Sequence, residues 1–386
     1  MSIWRIPLAD IDLGEEEKTA VLKVLDRRWL TMGEETQHFE QEFADYIGAT
    51  FACAVSNCTV ALHLACLALG LGPGDEVLVP SLTFVATAAA VRYVGATPRF
   101  VEITSEKDFT ISPQDIVNRI TPRTRAIIVM HYGGFICDMP SILNIARQYN
   151  LFVIEDAAHS PGTSLEGRKA GIWGDIGCFS FFSNKNLSTG EGGMITTHRQ
   201  DIAEKIRLLR SHGMTALTWD RHHGHAWSYD VVALGYNYRL DELRAAIGRV
   251  QLRKLDSNNQ HRAELVAHYR ERLREHSPAI EVPFEGHPGQ SSYHLMPILL
   301  PHGTSRELFM EGMKRRGIQT SVHYPPIHQF SAYQGLALFQ GNGLPLTESV
   351  ANREVTLPLY PMLTKTQVDE VVEAVSEALA EAQFIP

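Results

Sequence analysis

The chain has 386 residues, 44% of them hydrophobic and 20% charged, a globular composition that excludes disorder and fibres. The length suits two domains at the usual ~100–200 residues each. A formal net charge of -9 offers no basic field to a phosphate backbone, so nucleic-acid binding has no compositional support and an anionic small molecule would need local donors.

The start, MSIWRIPLADIDLGEEE, reaches acidic residues before any apolar run of signal-sequence length, and no run of ~18 apolar residues follows. The expectation is a cytosolic protein with no membrane segment. Cys53, Cys58, Cys66, Cys137 and Cys178 are odd in number and lack the paired spacing of a zinc site, so they read as free thiols.

From about residue 50 to 200, helical and strand patterns alternate between short turns marked by glycine or proline, which predicts an α/β fold with a mostly parallel sheet. Thr59–Leu69 reads as a buried helix closed by Gly70. A strand at Glu76–Pro80, a helix at Phe84–Val94 and a strand at Arg99–Ile103 follow. Ser112 and Pro113 mark a helix start. Thr124–Met130, Leu151–Ile154 and Ile176–Phe181 are short enough, and β-branched or aromatic enough, to be buried strands. Beyond Leu240 the pattern changes to two long amphipathic helices, LDELRAAIGRVQLRKL and HRAELVAHYRERLREH. Strands in SYHLMPILL and IQTSVHY, a helix in SRELFMEGMKRR and a last helix in TQVDEVVEAVSEALAEA complete the chain. The expected division is a large domain over 1–256 and a small α+β domain over 257–386.

Ligands of open α/β sheets bind beyond the carboxyl ends of the strands, and three such places carry polar groups. Glu155-Asp156-Ala157-Ala158-His159 follows LFVI; a carboxylate there could serve as a base, a metal ligand or the partner of a cationic ring nitrogen, or simply cap a helix. Lys185 follows Phe179-Ser180-Phe181-Phe182 and precedes Gly190-Glu191-Gly192-Gly193. A lysine among aromatic and small residues is a candidate for a lowered pKa and Schiff-base chemistry, and the glycines permit close backbone approach. Ser56-Asn57-Cys58-Thr59 opens an apolar helix, a place for either an ordinary cap or a phosphate. Phosphate cradle, carboxylate and lysine on one sheet edge together suggest pyridoxal 5'-phosphate (PLP).

The series SNCTVALHLACLALGLGPGDEVLVPSLTFVAT, HYGG, IEDAAHSPG, FSFFSNKNLSTGEGGM, GYNYRLDELRAAIG and VHYPPIH resembles the DegT/DnrJ/EryC1/StrS sugar aminotransferases, in order and across nearly the whole chain. The resemblance implies a type I PLP-dependent transferase fold like that of aspartate aminotransferase, and a homodimer with active sites shared between subunits. It also implies that Lys185 carries the cofactor and Asp156 pairs with the pyridine nitrogen. His159 would meet the phenolic oxygen, Phe84 would stack on the ring, and Thr59 and Ser180 would bind the phosphate, with Asn237 reaching it from the neighbouring subunit. His323, Tyr324 and His328 would contact substrate. Cys58 stands where many members have glycine, so the phosphate turn must fit a side chain. A branch with histidine in place of the lysine dehydrates sugars, and Lys185 argues against that branch.

The function so implied is amino transfer from an amino acid, expected to be glutamate, to a keto group of a nucleotide-linked sugar. A keto-cyclitol substrate, a non-catalytic PLP-fold regulator and a plain sugar-binding protein are the rival readings. His222, His223 and His225, in the stretch His212–Trp227, lack the spacing of a recognised metal site, so no metal is expected.

Overall fold

The computed structural model describes residues 4–215, 228–334 and 343–383. Strands β1 (Phe51–Val55), β2 (Glu76–Pro80), β3 (Thr97–Val101), β4 (Thr124–Met130), β5 (Phe152–Asp156), β6 (Ile176–Ser180) and β7 (Gly193–Thr197) form a seven-stranded sheet in the order β1-β7-β6-β5-β4-β2-β3. Neighbours from β6 through β3 pair in parallel, whereas β7 runs antiparallel to both β6 and β1. The β-branched runs that read as buried strands are covered on both faces, as parallel sheets require.

Alternation along the strands divides the cover. Ala126, Ile128, Ile154 and Cys178 pack with helices α3 (Cys58–Ala68), α4 (Ala86–Tyr93) and α7 (Gln200–Arg210). On the opposite face Ile127, Val129 and Val153 meet α5 (Pro113–Arg119) and α6 (Met139–Tyr149). Phe179 and Met194 meet Phe39, Phe43 and Ile47 of α2 (Glu34–Ile47). Asn57 caps α3 by accepting from Val60 N at 3.0 Å, and Gly70 takes a φ of +73° just past its end. Ser112 caps α5 as its Ser-Pro start predicts.

The two helices expected after Leu240 are one, the 35-residue α8 (Glu242–His276). The polar residues Asp256-Ser257-Asn258-Asn259 lie between the two segments. The helix runs through because the Asn259 amide bonds tertiary partners, Asn186 and the Pro161 carbonyl, instead of competing for its own backbone. The carboxyl-terminal half of α8 packs on a separate core with β8 (Met296–Leu299), β9 (Glu354–Leu357), α9 (Arg306–Arg315) and α11 (Lys365–Gln383). Ile6 joins this core rather than the large sheet, and the amino-terminal segment pairs with Gly317, Gln319 and Leu359. Helix α10 (Pro345–Arg353) precedes β9. IQTSVHY is not a continuous strand: Ile318 and Ser321 make isolated bridges to Ile6 and Thr356, and Gln319 spends its side chain on the Leu8 amide. No helix among the described residues is long and apolar enough to cross a membrane.

Candidate active site

Strand parity decides which polar residues meet at the carboxyl edge of the sheet. Asp156 lies two residues beyond Ile154 and therefore projects to the α3 face, and Ser180 lies two beyond Cys178 and projects the same way. Glu155 points to the other face. There its carboxylate accepts from the backbone N–H groups of Gly171, Trp173 and Gly174, each at 2.7 Å, and meets His131 Nε2 at 3.0 Å. Of the adjacent pair, Glu155 thus braces a loop while Asp156 faces the edge.

Asp156 is buried, accepting from Thr87 Oγ1 at 2.7 Å and from Ala158 N at 3.2 Å. Burial holds its carboxyl above the ordinary range, with these two bonds and the charge of Lys185 opposing. Lys185, in the loop after β6, has its amine pushed down to about 8 by burial, with Asp156 opposing. Its Nζ lies 3.4 Å from His294 Nε2. Next to it, Asn184 Oδ1 is buried without a hydrogen-bond partner.

The amino end of α3 closes the edge. Its cap leaves the N–H groups of Cys58 and Thr59 with no intrahelical carbonyl to pair with. Gly193 lets this end approach the sheet, because a Cβ there would come within 2.7 Å of Asn57 C and 2.9 Å of Cys58 N. The GEGG run therefore matters for a close backbone contact, and Gly190 for a φ of +80°. Cys58 is buried, and burial followed by the charge of Asp156 lifts its thiol well above the ordinary value. Thr59 is partly buried. Ser180 Oγ accepts from Phe182 N at 3.3 Å, which leaves its hydroxyl proton free to donate.

His159 accepts from Gly133 N at 3.3 Å through Nδ1, so Nε2 carries the proton and donates to Tyr324 Oη at 2.9 Å. Burial keeps the His159 ring neutral, its pKa well below the ordinary value. Phe84 is 56% exposed, and its ring centroid lies 6.1 Å from that of Tyr324. His323, with Nδ1 at 2.7 Å from Thr356 Oγ1, is pushed down to about 3 by burial and then by Lys185, so it also stands at this edge.

Two further sequence candidates make other contacts within the chain. His328 is held between Ser81 Oγ at 2.7 Å and Glu348 Oε1 at 3.1 Å and packs near Phe100. Asn237 is exposed, its backbone bridging Ser211. His222, His223 and His225 fall outside the described residues, and among those described no group of three or more His, Cys, Asp or Glu is placed to hold a metal. Sequence reasoning missed Thr87, Asn186 and His294. No spacing singles them out, since each matters through a contact across the fold.

The donor set fits one kind of ligand. A partly buried lysine with a lowered pKa can bond an aldehyde, a buried carboxylate bonded to neutral donors suits a protonated ring nitrogen, and a capped helix end with a free hydroxyl nearby suits a phosphate. PLP carries all three groups.

Comparisons agree with this reading. The model of the DegT/DnrJ/EryC1/StrS aminotransferase family matches residues 11–376. GDP-perosamine synthase of Caulobacter vibrioides is 38% identical over 378 residues, 97% of this chain and 98% of that protein. The aminotransferase TlmJ from Streptoalloteichus hindustanus superposes with a TM-score of 0.89 at 32% identity, covering 97% of this chain and 99% of TlmJ. Helicobacter pylori PseC, an aminotransferase involved in the biosynthesis of pseudoaminic acid, gives 0.90 at 29% identity, with 97% and 99% covered. The protein therefore belongs to the DegT/DnrJ/EryC1/StrS family of PLP-dependent sugar aminotransferases.

Proposed function

We propose that the protein transfers an amino group from an amino acid, glutamate in our reading, to a keto group of a nucleotide-linked sugar. The observation that carries this is the meeting of Lys185 and Asp156 at one buried sheet edge, near enough for each to bias the other's ionisation. Similarity to GDP-perosamine synthase and to PseC supports the sugar substrate.

In this reading Lys185 bonds the PLP aldehyde, Asp156 holds the ring nitrogen, and His159 faces the phenolic oxygen. Phe84 covers the ring, while Ser180, Thr59 and the Cys58 amide hold the phosphate together with the partner subunit's Asn237. Bound there, PLP supplies an aldehyde for the donor's amine and an acceptor for the electrons left at Cα. Lys185, with an amine near 8, is neutral in a useful fraction at physiological pH and can take and return a proton. The ring nitrogen's positive charge would oppose the burial that raises Asp156, keeping the carboxylate ionised. His323 and Tyr324, at the same edge, would face the sugar.

Borohydride reduction of the purified protein followed by peptide mapping tests the cofactor assignment; we expect label on Lys185, and label on another lysine removes it. A panel of nucleotide-linked keto-sugars with glutamate tests the substrate. Amine formation from a free keto-cyclitol and from none of the nucleotide sugars would overturn the sugar reading.

A further inference from the structure

The residue after Lys185 fixes the state of a histidine that no sequence pattern marks. Asn186 Nδ2 lies 2.7 Å from the Ser292 carbonyl oxygen and 2.7 Å from Asn259 Oδ1. A carbonyl can only accept, so the amide nitrogen must lie on that side and Oδ1 on the other. Asn259 is oriented by the same logic, since its Nδ2 donates to the Pro161 carbonyl at 2.9 Å. Asn186 Oδ1 faces His294 Nδ1 at 2.9 Å, which requires the ring proton on Nδ1. Nε2 is then a lone pair, and it lies 3.4 Å from Lys185 Nζ. Asn186, Asn259, Ser292 and His294 are all buried, which limits competition from water for these bonds.

We propose that His294 is the positioning residue of Lys185: its Nε2 accepts one N–H of the free amine, restricting the directions in which the amine's own lone pair can point. The proposal rests on the reading of Lys185 as the cofactor lysine. A free lysine amine sits on a flexible four-carbon stem and must be held toward both positions between which it would carry a proton; a fixed acceptor removes most of the unwanted freedom. The acceptor is itself fixed through α8, the helix that runs into the carboxyl-terminal core, so the chain Asn259–Asn186–His294 ties the amine to both parts of the molecule. The other titratable groups that face Lys185 are Asp156 from β5, Cys58 from α3, His159 from the loop after β5, and His323.

Two substitutions separate positioning from packing. His294→Gln places an amide where Nε2 stood and keeps an acceptor for the amine. His294→Asn keeps a partner for Asn186 but cannot reach Lys185. Competitive acylation of the cofactor-free full-length protein across pH, read by mass spectrometry at Lys185, gives the amine's titration. We expect His294→Asn to titrate lower than wild type, because the charged amine loses an acceptor in a buried place, with His294→Gln close to wild type. In the loaded enzyme kcat should fall roughly tenfold or more in His294→Asn with little change in KM, and His294→Gln should recover most of it. Equal impairment of the two variants, or an unchanged Lys185 titration in His294→Asn, overturns the proposal. Borohydride label elsewhere than Lys185 overturns the reading beneath it, so the two failures are distinct.

Discussion

Lys185 carries a thermodynamic signature that can be read without any substrate. Its amine sits near 8 in the fold against 10.5 as the ordinary value, because burial disfavours the charged form. Below pH 8 both folded and unfolded chains hold the proton, and the fold bears the full desolvation cost. Between 8 and 10.5 the unfolded chain binds more protons than the folded one, so stability rises with pH until the cost is gone. Cofactor-free Lys185→Met should therefore be more thermostable than wild type at pH 7, by at most about 3–4 kcal/mol, with the advantage shrinking from pH 8 to 10.5. Thermal melts across that range check it; an advantage that grows with pH would contradict the assigned cause. Asp156→Asn keeps the shape and the Thr87 contact but removes the charge that would keep a ring nitrogen protonated. Turnover should drop roughly a hundredfold while donor KM changes little; steady-state kinetics would show an unchanged rate if the electron-acceptor function lies elsewhere.

At the scale of elements, the site depends on a helix end brought close to a strand start. Gly193→Ala would push a methyl group into the backbone of Asn57 and Cys58. Neither neighbour is a flexible side-chain tip, so the helix end must shift. Phosphate affinity should fall, with the PLP dissociation constant rising about tenfold or more, a loss of at least ~1.4 kcal/mol, measurable by titrating the cofactor-free protein with PLP. A second helix depends on a carboxylate far away in sequence. Glu242, in the first turn of α8, accepts from Gly33 N and Glu35 N at 2.8 Å, Thr36 N at 3.0 Å and Thr36 Oγ1 at 2.7 Å, capping α2 from outside. Glu242→Gln turns one acceptor into a donor facing N–H groups. Denaturant unfolding should show a loss of about 1.5–3 kcal/mol, and a change under half of that would mean water replaces the cap.

For the whole molecule, the exposed Asn237 and the apolar side chains exposed before it, Val231, Val232 and Leu234, bear on assembly. If the partner subunit's Asn237 completes each phosphate site, mixing Lys185→Ala with an inactive Asn237 variant should regenerate one intact site per mixed dimer. Activity should then approach half of wild type per mixed dimer. Confirmed exchange without recovery would place both residues in the same site of one subunit.

The residues alone determined much of this protein. Alternating β-branched runs and glycine-marked turns place the strands, because buried strands need apolar side chains on both faces and turns need backbone freedom. Lysine, carboxylate and helix start were legible because each follows or precedes an apolar run, and the ordered series of motifs carried the family. What only the tertiary structure decided depends on contacts between residues distant in the chain. Asp156 was already named by the motif it sits in, but that Glu155 turns to the opposite face and braces Gly171, Trp173 and Gly174 depends on the loop folded against it. Residues 242–276 form one helix because Asn259 spends its amide on Asn186 and Pro161. His328 belongs with Ser81 and Glu348 although its motif places it near His323. His294 meets Lys185 across more than a hundred residues. Local patterns report local preference and burial; the partner of a polar group is set by packing, and a buried histidine's proton is placed by whichever acceptor the fold brings to it.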